Sequence, residues 1–327
     1  MMVFNKQFVN DDYAILFNTK TGVELTTGIN GKPDPFILEM PSLLDIGVMG
    51  TCIHKCQFCY QGHEDRPNMK LSDFKRIIDQ ASYHVNQVAL GGRGDPNHHE
   101  NFKEMLEYCR EKNVVPNYTT SGIGLTPEQV EISKMCGAVA VSDYEKSYTN
   151  TAINMFIKAG IKTNIHQIYS RETHIKCISI VQGHRPLTWS FDHTNLNAVI
   201  FLLFKPHGAG ANLRHLIPTK AMLQYMAYNI FQPASKFKIG MDSCLANHVL
   251  EHGHPSAVQR ASIDTCEASR MSAYITPDMK FMPCSFASED SYSVPIEDLK
   301  SIWDEGKPFI SFRNKLRKTK NCCPLGL

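Results

Sequence analysis

The sequence predicts an α/β protein built on a parallel sheet, and two observations carry the prediction. From residue 43 onward, short apolar runs alternate with segments whose apolar residues recur at helical spacing, the pattern of repeated βα units. The 327 residues, 43% of them hydrophobic, suffice for one large α/β unit with an appendage, or for two ordinary domains, with an ample core.

Residues 1–42 precede the first unit. Their run Tyr13-Ala-Ile-Leu-Phe17 and the turn-rich Gly28-Ile-Asn-Gly-Lys-Pro-Asp-Pro35 predict a short N-terminal β-hairpin segment. Leu43 to Val48 reads as the first strand of the sheet and delivers a cysteine-rich loop. Ser72 is placed to cap a helix whose stripe is Phe74, Ile77, Ile78 and Ala81. Gln87 to Leu90 is the second strand, followed by a glycine-rich turn and a helix carrying Phe102 and Met105. His98 and His99 are expected on the solvent-exposed start of that helix. Val114 to Thr119 is the third strand, and Thr126-Pro-Glu-Gln129 combines a capping box with proline at the first helical position. Ala138 to Val141 is the fourth. A helix with Ala152, Ile153, Phe156 and Ile157 should end at Gly160, a C-terminal glycine cap. Ile161 to Ile168 and Ala198 to Phe204 supply the fifth and sixth strands.

Lysine plus arginine total 34 against 32 aspartate plus glutamate, so no net basic field exists to drive non-specific nucleic-acid binding. The first residues contain no apolar signal region, and the longest apolar stretch, Ala198 to Phe204, is far too short to span a bilayer. A soluble, cytoplasmic protein with no membrane or nucleic-acid partner is expected. Eleven cysteines in such a chain point to metal ligation and buried thiols rather than to disulfides. Cys109 and Cys136 fall on apolar helical stripes and, with Cys177, read as core residues.

Three other cysteines crowd into eight residues of Gly50-Thr-Cys-Ile-His-Lys-Cys-Gln-Phe-Cys-Tyr60. Cys52, Cys56 and Cys59 can hold a [4Fe-4S] cluster while leaving one iron without a protein ligand. An open iron suits a substrate or cofactor that completes its coordination. The competing reading is a zinc knuckle, with His54 or His63 as fourth ligand.

This spacing, with aromatic Phe58 before the third cysteine, resembles the signature of the radical S-adenosylmethionine (SAM) superfamily. The resemblance implies a partial (β/α)6 TIM barrel over residues 43–240. It also implies a cluster whose open iron is chelated by SAM, an electron from a flavodoxin- or ferredoxin-type reductant, and a 5′-deoxyadenosyl radical that abstracts hydrogen from substrate. Chemistry in such barrels sits at the C-terminal ends of the strands. At the second, Gly91, Gly92, Arg93, Gly94 and Asp95 resemble the glycine-glycine-glutamate-proline segment that holds the SAM amino group, with Asp95 in place of glutamate. At the third, Thr120 and Ser121 resemble a segment that touches the SAM ribose. Asn164 and His166 alternate on one side of the fifth strand and are candidates to face SAM or substrate. Tyr60, Asp143 and Tyr144 are candidates for proton work by position alone. Lys205, after the sixth strand, reads equally as a substrate anchor or a surface residue.

Residues 241–327 add a second resemblance. Cys266 to Cys284 is similar to the auxiliary-cluster segment of SPASM and Twitch radical SAM enzymes, which carry a cysteine, a β-hairpin, a proline-aspartate-glycine turn and a second cysteine after proline. Met279 stands where that turn usually has glycine, so either the turn type differs or Met279 is strained. Cys244, Cys266, Cys284 and one of Cys322 or Cys323 are the implied ligands of one auxiliary [4Fe-4S] cluster. A zinc ribbon from the same cysteines is the alternative. Arg313, Lys315, Arg317, Lys318 and Lys320 read as a solvated helix face.

By analogy with relatives, the resemblance favours a ribosomally made peptide or a protein side chain as substrate, met through a separate recognition protein or by direct barrel contact. The alternatives are a radical SAM dehydrogenase or cyclase of a small-molecule pathway and a non-catalytic iron-sulfur or zinc protein.

Overall fold

A computed structural model of the protein describes residues 3–232, 236–319 and 323–325. Strands β1 (Lys6–Val9), β2 (Tyr13–Phe17) and β3 (Glu24–Gly28) form an antiparallel sheet in that order, so the expected hairpin carries a third strand. Asparagines set both reversals. Asn10 Oδ1 accepts the N–H groups of Asp12 and Tyr13, and Asn18 Oδ1 those of Lys20 and Thr21. Only β2 was a legible run; Lys-Gln-Phe-Val of β1 and Glu-Leu-Thr-Thr-Gly of β3 are too short or too poor in large apolar residues to stand out.

The main sheet begins with β4 (Leu43–Met49) and helix α1 (Leu71–Ala81). β5 (Gln87–Gly92), α2 (Phe102–Glu111), β6 (Val115–Thr120) and α3 (Pro127–Ile132) follow. Next come β7 (Val139–Ser142), α4 (Ser147–Lys158), β8 (Thr163–Tyr169) and α5 (His174–Val181). β9 (Ala198–Leu203), α6 (Lys220–Ile230), β10 (Ile239–Met241) and α7 (Ser243–His252) close the series. The C-terminal part contributes α8 (Ala257–Ala261), β11 (Ser272–Ile275), β12 (Lys280–Met282), α9 (Glu289–Tyr292), β13 (Val294–Pro295), α10 (Leu299–Glu305) and α11 (Lys307–Lys318).

The sheet order is β10-β9-β8-β7-β6-β5-β4-β11-β12-β13, with every pairing from β10 to β11 parallel. The six expected parallel strands are joined by β10, whose three residues are too few to show a period. The sheet also runs past residue 240, because β11 pairs with β4 and brings the C-terminal hairpin to that edge. No helix among the described residues is long and apolar enough to cross a membrane.

Burial alternates along the strands in an informative sense. In β8, Thr163, Ile165, Gln167 and Tyr169 are buried while Asn164, His166 and Ile168 are half-exposed, and β9 repeats the pattern with Val199, Phe201 and Leu203 buried. The buried set joins the core with helix residues such as Leu245 and Val249 of α7. The helix-facing side of the sheet is therefore the packed one, and the concave side stays open. On the packed side α1 buries Phe74, Ile77, Ile78 and Ala81 as expected, the larger side chains contributing roughly 1.5–3 kcal/mol each.

Thr126 forms the full capping box, and Gly160 takes φ +73° after α4. Cys109 and Cys177 are fully buried, and burial pushes both thiols up to about 12. Cys136 is half-buried against the same core.

Three local expectations are corrected, and one open question is settled. Helix α1 starts at Leu71 with Lys70 in the capping position, so Ser72 lies inside the first turn rather than capping it. His99 is buried, not exposed: its Nε2 pairs with Met69 O at 2.9 Å, and its Nδ1 accepts the Asn101 N–H. Arg313 is buried too, donating from Nε to Ser269 O at 2.7 Å and stacking 4.4 Å from the Trp303 ring, so α11 does not present it to solvent. Lys315, Arg317 and Lys318 of the same basic run are exposed as expected, Lys315 and Arg317 also contacting Tyr292 and Phe36, while Lys320 lies outside the described residues. Met279 resolves the turn question: it sits at φ +62°, so the turn keeps its left-handed position without the glycine that would relieve it.

Candidate active site

The loop after β4 is closed at its neck by Gly50, whose O accepts from Arg66 N and whose N donates to Asn68 Oδ1. A Cβ on Gly50 would lie 2.3 Å from Arg66 O, so only glycine permits that closure. Within the loop each thiol has a polar neighbour. His54 N–H reaches Cys52 Sγ at 3.3 Å, while the Tyr144 hydroxyl and the Gln61 N–H favour the charged forms of the Cys56 and Cys59 sulfurs. Burial pushes all three thiols up, so an ion's charge is needed to hold them as thiolates.

Arg93 projects into this loop. Its side chain is 7% exposed, lies 3.5 Å from Asp65, and is close enough to Cys52 and Cys59 to favour their charged forms. Its Nε and Nη1 are buried without a hydrogen bond, and a guanidinium near the Cys52 and Cys59 sulfurs, paired with the exposed Asp65, fits an anionic group bound there. The donor set thus fits a cluster ligated by Cys52, Cys56 and Cys59.

The predicted second- and third-strand residues are brought together. Asp95 accepts from Thr120 Oγ1 (3.0 Å), Ser121 N (2.9 Å) and Ser121 Oγ (2.6 Å). Ser121 Oγ also lies 3.0 Å from His54 Nε2. Because the serine proton goes to Asp95, the His54 Nε2 must carry its own and donate it, which ties the cysteine loop to both strand tips. Cβ atoms on Gly92 and Gly94 would strike Met49 O and Thr51 O at 2.3 Å, so these glycines serve the approach of β5 to the loop. Gly91 faces open space.

Other candidates divide. Tyr144 joins the cysteines, its ring 6.0 Å from Phe58 and 6.1 Å from His54. Asp143 does not: Lys176 Nζ and Trp189 Nε1 both bond its carboxylate at 2.8 Å, and it is almost fully buried. His166 is level with Ser142 on the open side, and burial pushes it down to about 4, so it is neutral near pH 7. Asn164 accepts from Asn197 at the start of β9, the end opposite the rim. Tyr60 stacks on Phe286 with centroids 4.5 Å apart, and burial pushes its phenol up to about 12.

Two neighbours escaped the sequence reading. Asp45, level with Tyr274 of β11, is pushed up to about 6 by burial. Tyr148 of α4 lies 6.0 Å from His54. A lone acid in an apolar strand was a usable signal for Asp45; Tyr148 offered none.

A second set of sulfurs assembles from separate elements. Cys244 lies in the first turn of α7 behind its cap Asp242, Cys266 precedes β11, and Cys284 follows β12. The Cys244 thiol hydrogen-bonds Cys323, and Cys266 and Cys284 both feel the charge of Cys323. Burial pushes Cys266 up to about 11 and Cys284 up to about 12. Cys322 lies outside the described residues.

Thiolates on one zinc ion, at about 2.3 Å from it, sit about 3.8 Å apart. Among the described residues no three cysteine sulfurs come within 4.8 Å of one another; the tight group is instead His248, Glu251 and His252, neighbours on one face of α7.

Residues 46–180 match the model of the radical SAM superfamily, and that segment is a radical SAM domain. No curated protein sequence matches the chain. Among solved structures it is similar to Streptococcus suis SuiB bound to the precursor peptide SuiA, with TM-score 0.68 and 17% identity over 98% of this chain and 94% of that one. SuiB bound to S-adenosylmethionine gives TM-score 0.65 and 20% identity over 88% and 72%. Native anSMEcpe with AdoMet and the Cp18Cys peptide gives 0.64 and 14% over 86% of each chain. At these identities the likeness establishes the fold, an open α/β partial barrel.

Proposed function

We propose that this protein is a SAM-cleaving radical enzyme with one auxiliary [4Fe-4S] cluster, modifying a peptide or protein side chain. Cys52, Cys56 and Cys59 would hold the first cluster, and Cys244, Cys266, Cys284 and Cys323 the second. With SAM bound, the first cluster supplies a 5′-deoxyadenosyl radical. Arg93 is the cation facing that loop. Asp95, through Thr120 and Ser121, holds two strand tips and His54 in one geometry, while Gly91 leaves backbone open to a ligand. Tyr144, whose hydroxyl favours the charged form of the Cys56 sulfur, would orient that thiolate.

The main support is the convergence of two cysteine sets on one end of the sheet, bridged by the Tyr60–Phe286 stack. Tyr60 follows Cys59, and Phe286 donates its N–H to Cys284 Sγ at 3.4 Å. The titles of the SuiB and anSMEcpe structures name bound peptides, which favours a peptide substrate here. The test is anaerobic reconstitution with iron counting, then SAM, dithionite and candidate peptides encoded beside the gene. Eight irons per chain, 5′-deoxyadenosine and a mass change in a peptide are expected. Tightly held zinc with no 5′-deoxyadenosine would sink the reading.

A further inference from the structure

Lys205 follows β9 at the open end of the barrel, yet its side chain is only 5% exposed. A buried lysine is costly unless its charge is matched. Here Nζ lies 2.5 Å from Asp242 Oδ2 and 4.2 Å from the centre of the Phe286 ring. Asp242 is two residues from Cys244, and Phe286 is two residues from Cys284 and bonded to its sulfur. The ammonium is thus bracketed by two of the four auxiliary cysteines. Burial opposes its charge, and the Asp242 carboxylate favours it through both its charge and its hydrogen bond, the balance leaving the lysine pKa above its ordinary value.

We propose that Lys205 sets the reduction potential of a cluster at Cys244, Cys266, Cys284 and Cys323, its fixed positive charge favouring the reduced, more negative state. The inference rests on the auxiliary-cluster reading above. Reduction adds one electron to the oxidised cluster, supplied in the test by dithionite. Asp242 opposes Lys205, so the two side chains pull the potential in opposite directions. A merely structural pair would not do this, since loss of either member would loosen the same site in the same way.

The experiment is a mediated redox titration of the reconstituted holoprotein, followed by electron paramagnetic resonance. Wild type is compared with Lys205→Met, Lys205→Arg and Asp242→Asn, the last of which keeps a good helix cap. Lys205→Met should lower the auxiliary midpoint by about tenfold in the oxidised-to-reduced ratio, about 59 mV for one electron. Asp242→Asn should raise it, Lys205→Arg should leave it near wild type, and the first cluster should stay put in all three. An unchanged midpoint in Lys205→Met, or shifts of the same sign in Lys205→Met and Asp242→Asn, overturns the proposal. If Lys205→Met loses its cluster, an Asp242→Asn midpoint that fails to rise overturns it alone. Four irons per chain in wild type would mean that the auxiliary reading itself is wrong, and a distinct failure from eight irons with an insensitive midpoint.

Discussion

The two cysteine sets of this protein are built in opposite ways. Cys52, Cys56 and Cys59 lie within eight residues of one loop, so chain connectivity keeps them close, and Gly50, Arg66 and Asn68 pin the loop at its neck. Cys244, Cys266, Cys284 and Cys323 come from a helix start, the two flanks of a hairpin and the end of the chain, so packing must gather them. A local set survives local damage; a distributed set reports on the whole fold around it.

The largest effects should separate the two sets outright. Cys56→Ala should reduce 5′-deoxyadenosine to background and halve the iron content, leaving the auxiliary irons in place. Cys284→Ala should halve the iron content as well but retain reductive SAM cleavage. Iron analysis beside mass spectrometry reads both, and loss of cleavage in Cys284→Ala would show that the sets are not independent.

Asp95 tests how the local set is braced. Asp95→Ala strands three donors from Thr120 and Ser121, each unsatisfied buried group costing about 1–3 kcal/mol, so a loss of about 3 kcal/mol in anaerobic urea unfolding is expected. Asp95→Asn keeps acceptor capacity and should lose clearly less.

Asp45 tests the floor between the sets through pH. Its carboxyl is held at about 6 in the fold against 3.8 for the ordinary group, so the folded state binds the proton more tightly. That contribution is fully present below about pH 4 and is lost as pH rises through about 6. Asp45→Asn should therefore be more stable than wild type above pH 7, by about 3 kcal/mol at most, with the gap closing toward pH 4. A gap that is independent of pH would exclude a buried, protonated Asp45.

The smallest effect concerns the hairpin that presents Cys266 and Cys284. Met279→Gly and Met279→Ala both lose the half-buried side chain, but only glycine is at ease at φ +62°. The glycine variant should be the more stable of the two by about 1 kcal/mol in urea midpoint comparisons. Equal stabilities would mean that the turn relaxes.

Much of the barrel was legible because its signals are periodic or local. The α1 stripe, the Thr126 capping box and the Gly160 cap each depend on residues within a turn or two, and each is found. His99 and Arg313 were misread because polar residues reveal burial only through partners far along the chain, Met69 for one and Ser269 and Trp303 for the other. β10 was missed because three residues cannot show alternation. In the site, the cysteine loop and the Gly91–Asp95 turn announced themselves. What Asp95 does was hidden, since its donors are 25 and 26 residues away on the next strand.

By itself, the sequence determined the βα order, the three-cysteine loop and the unusual methionine in the hairpin turn, because these follow from backbone propensity, short-range spacing and the steric needs of one φ angle. Only the tertiary structure decided that Asp95 braces His54 through Ser121, that Lys205 is a buried cation between Asp242 and Phe286, and that Cys323 meets Cys244. Those contacts join residues up to 81 positions apart, and they form only where sheet register and helix packing bring the strand tips together.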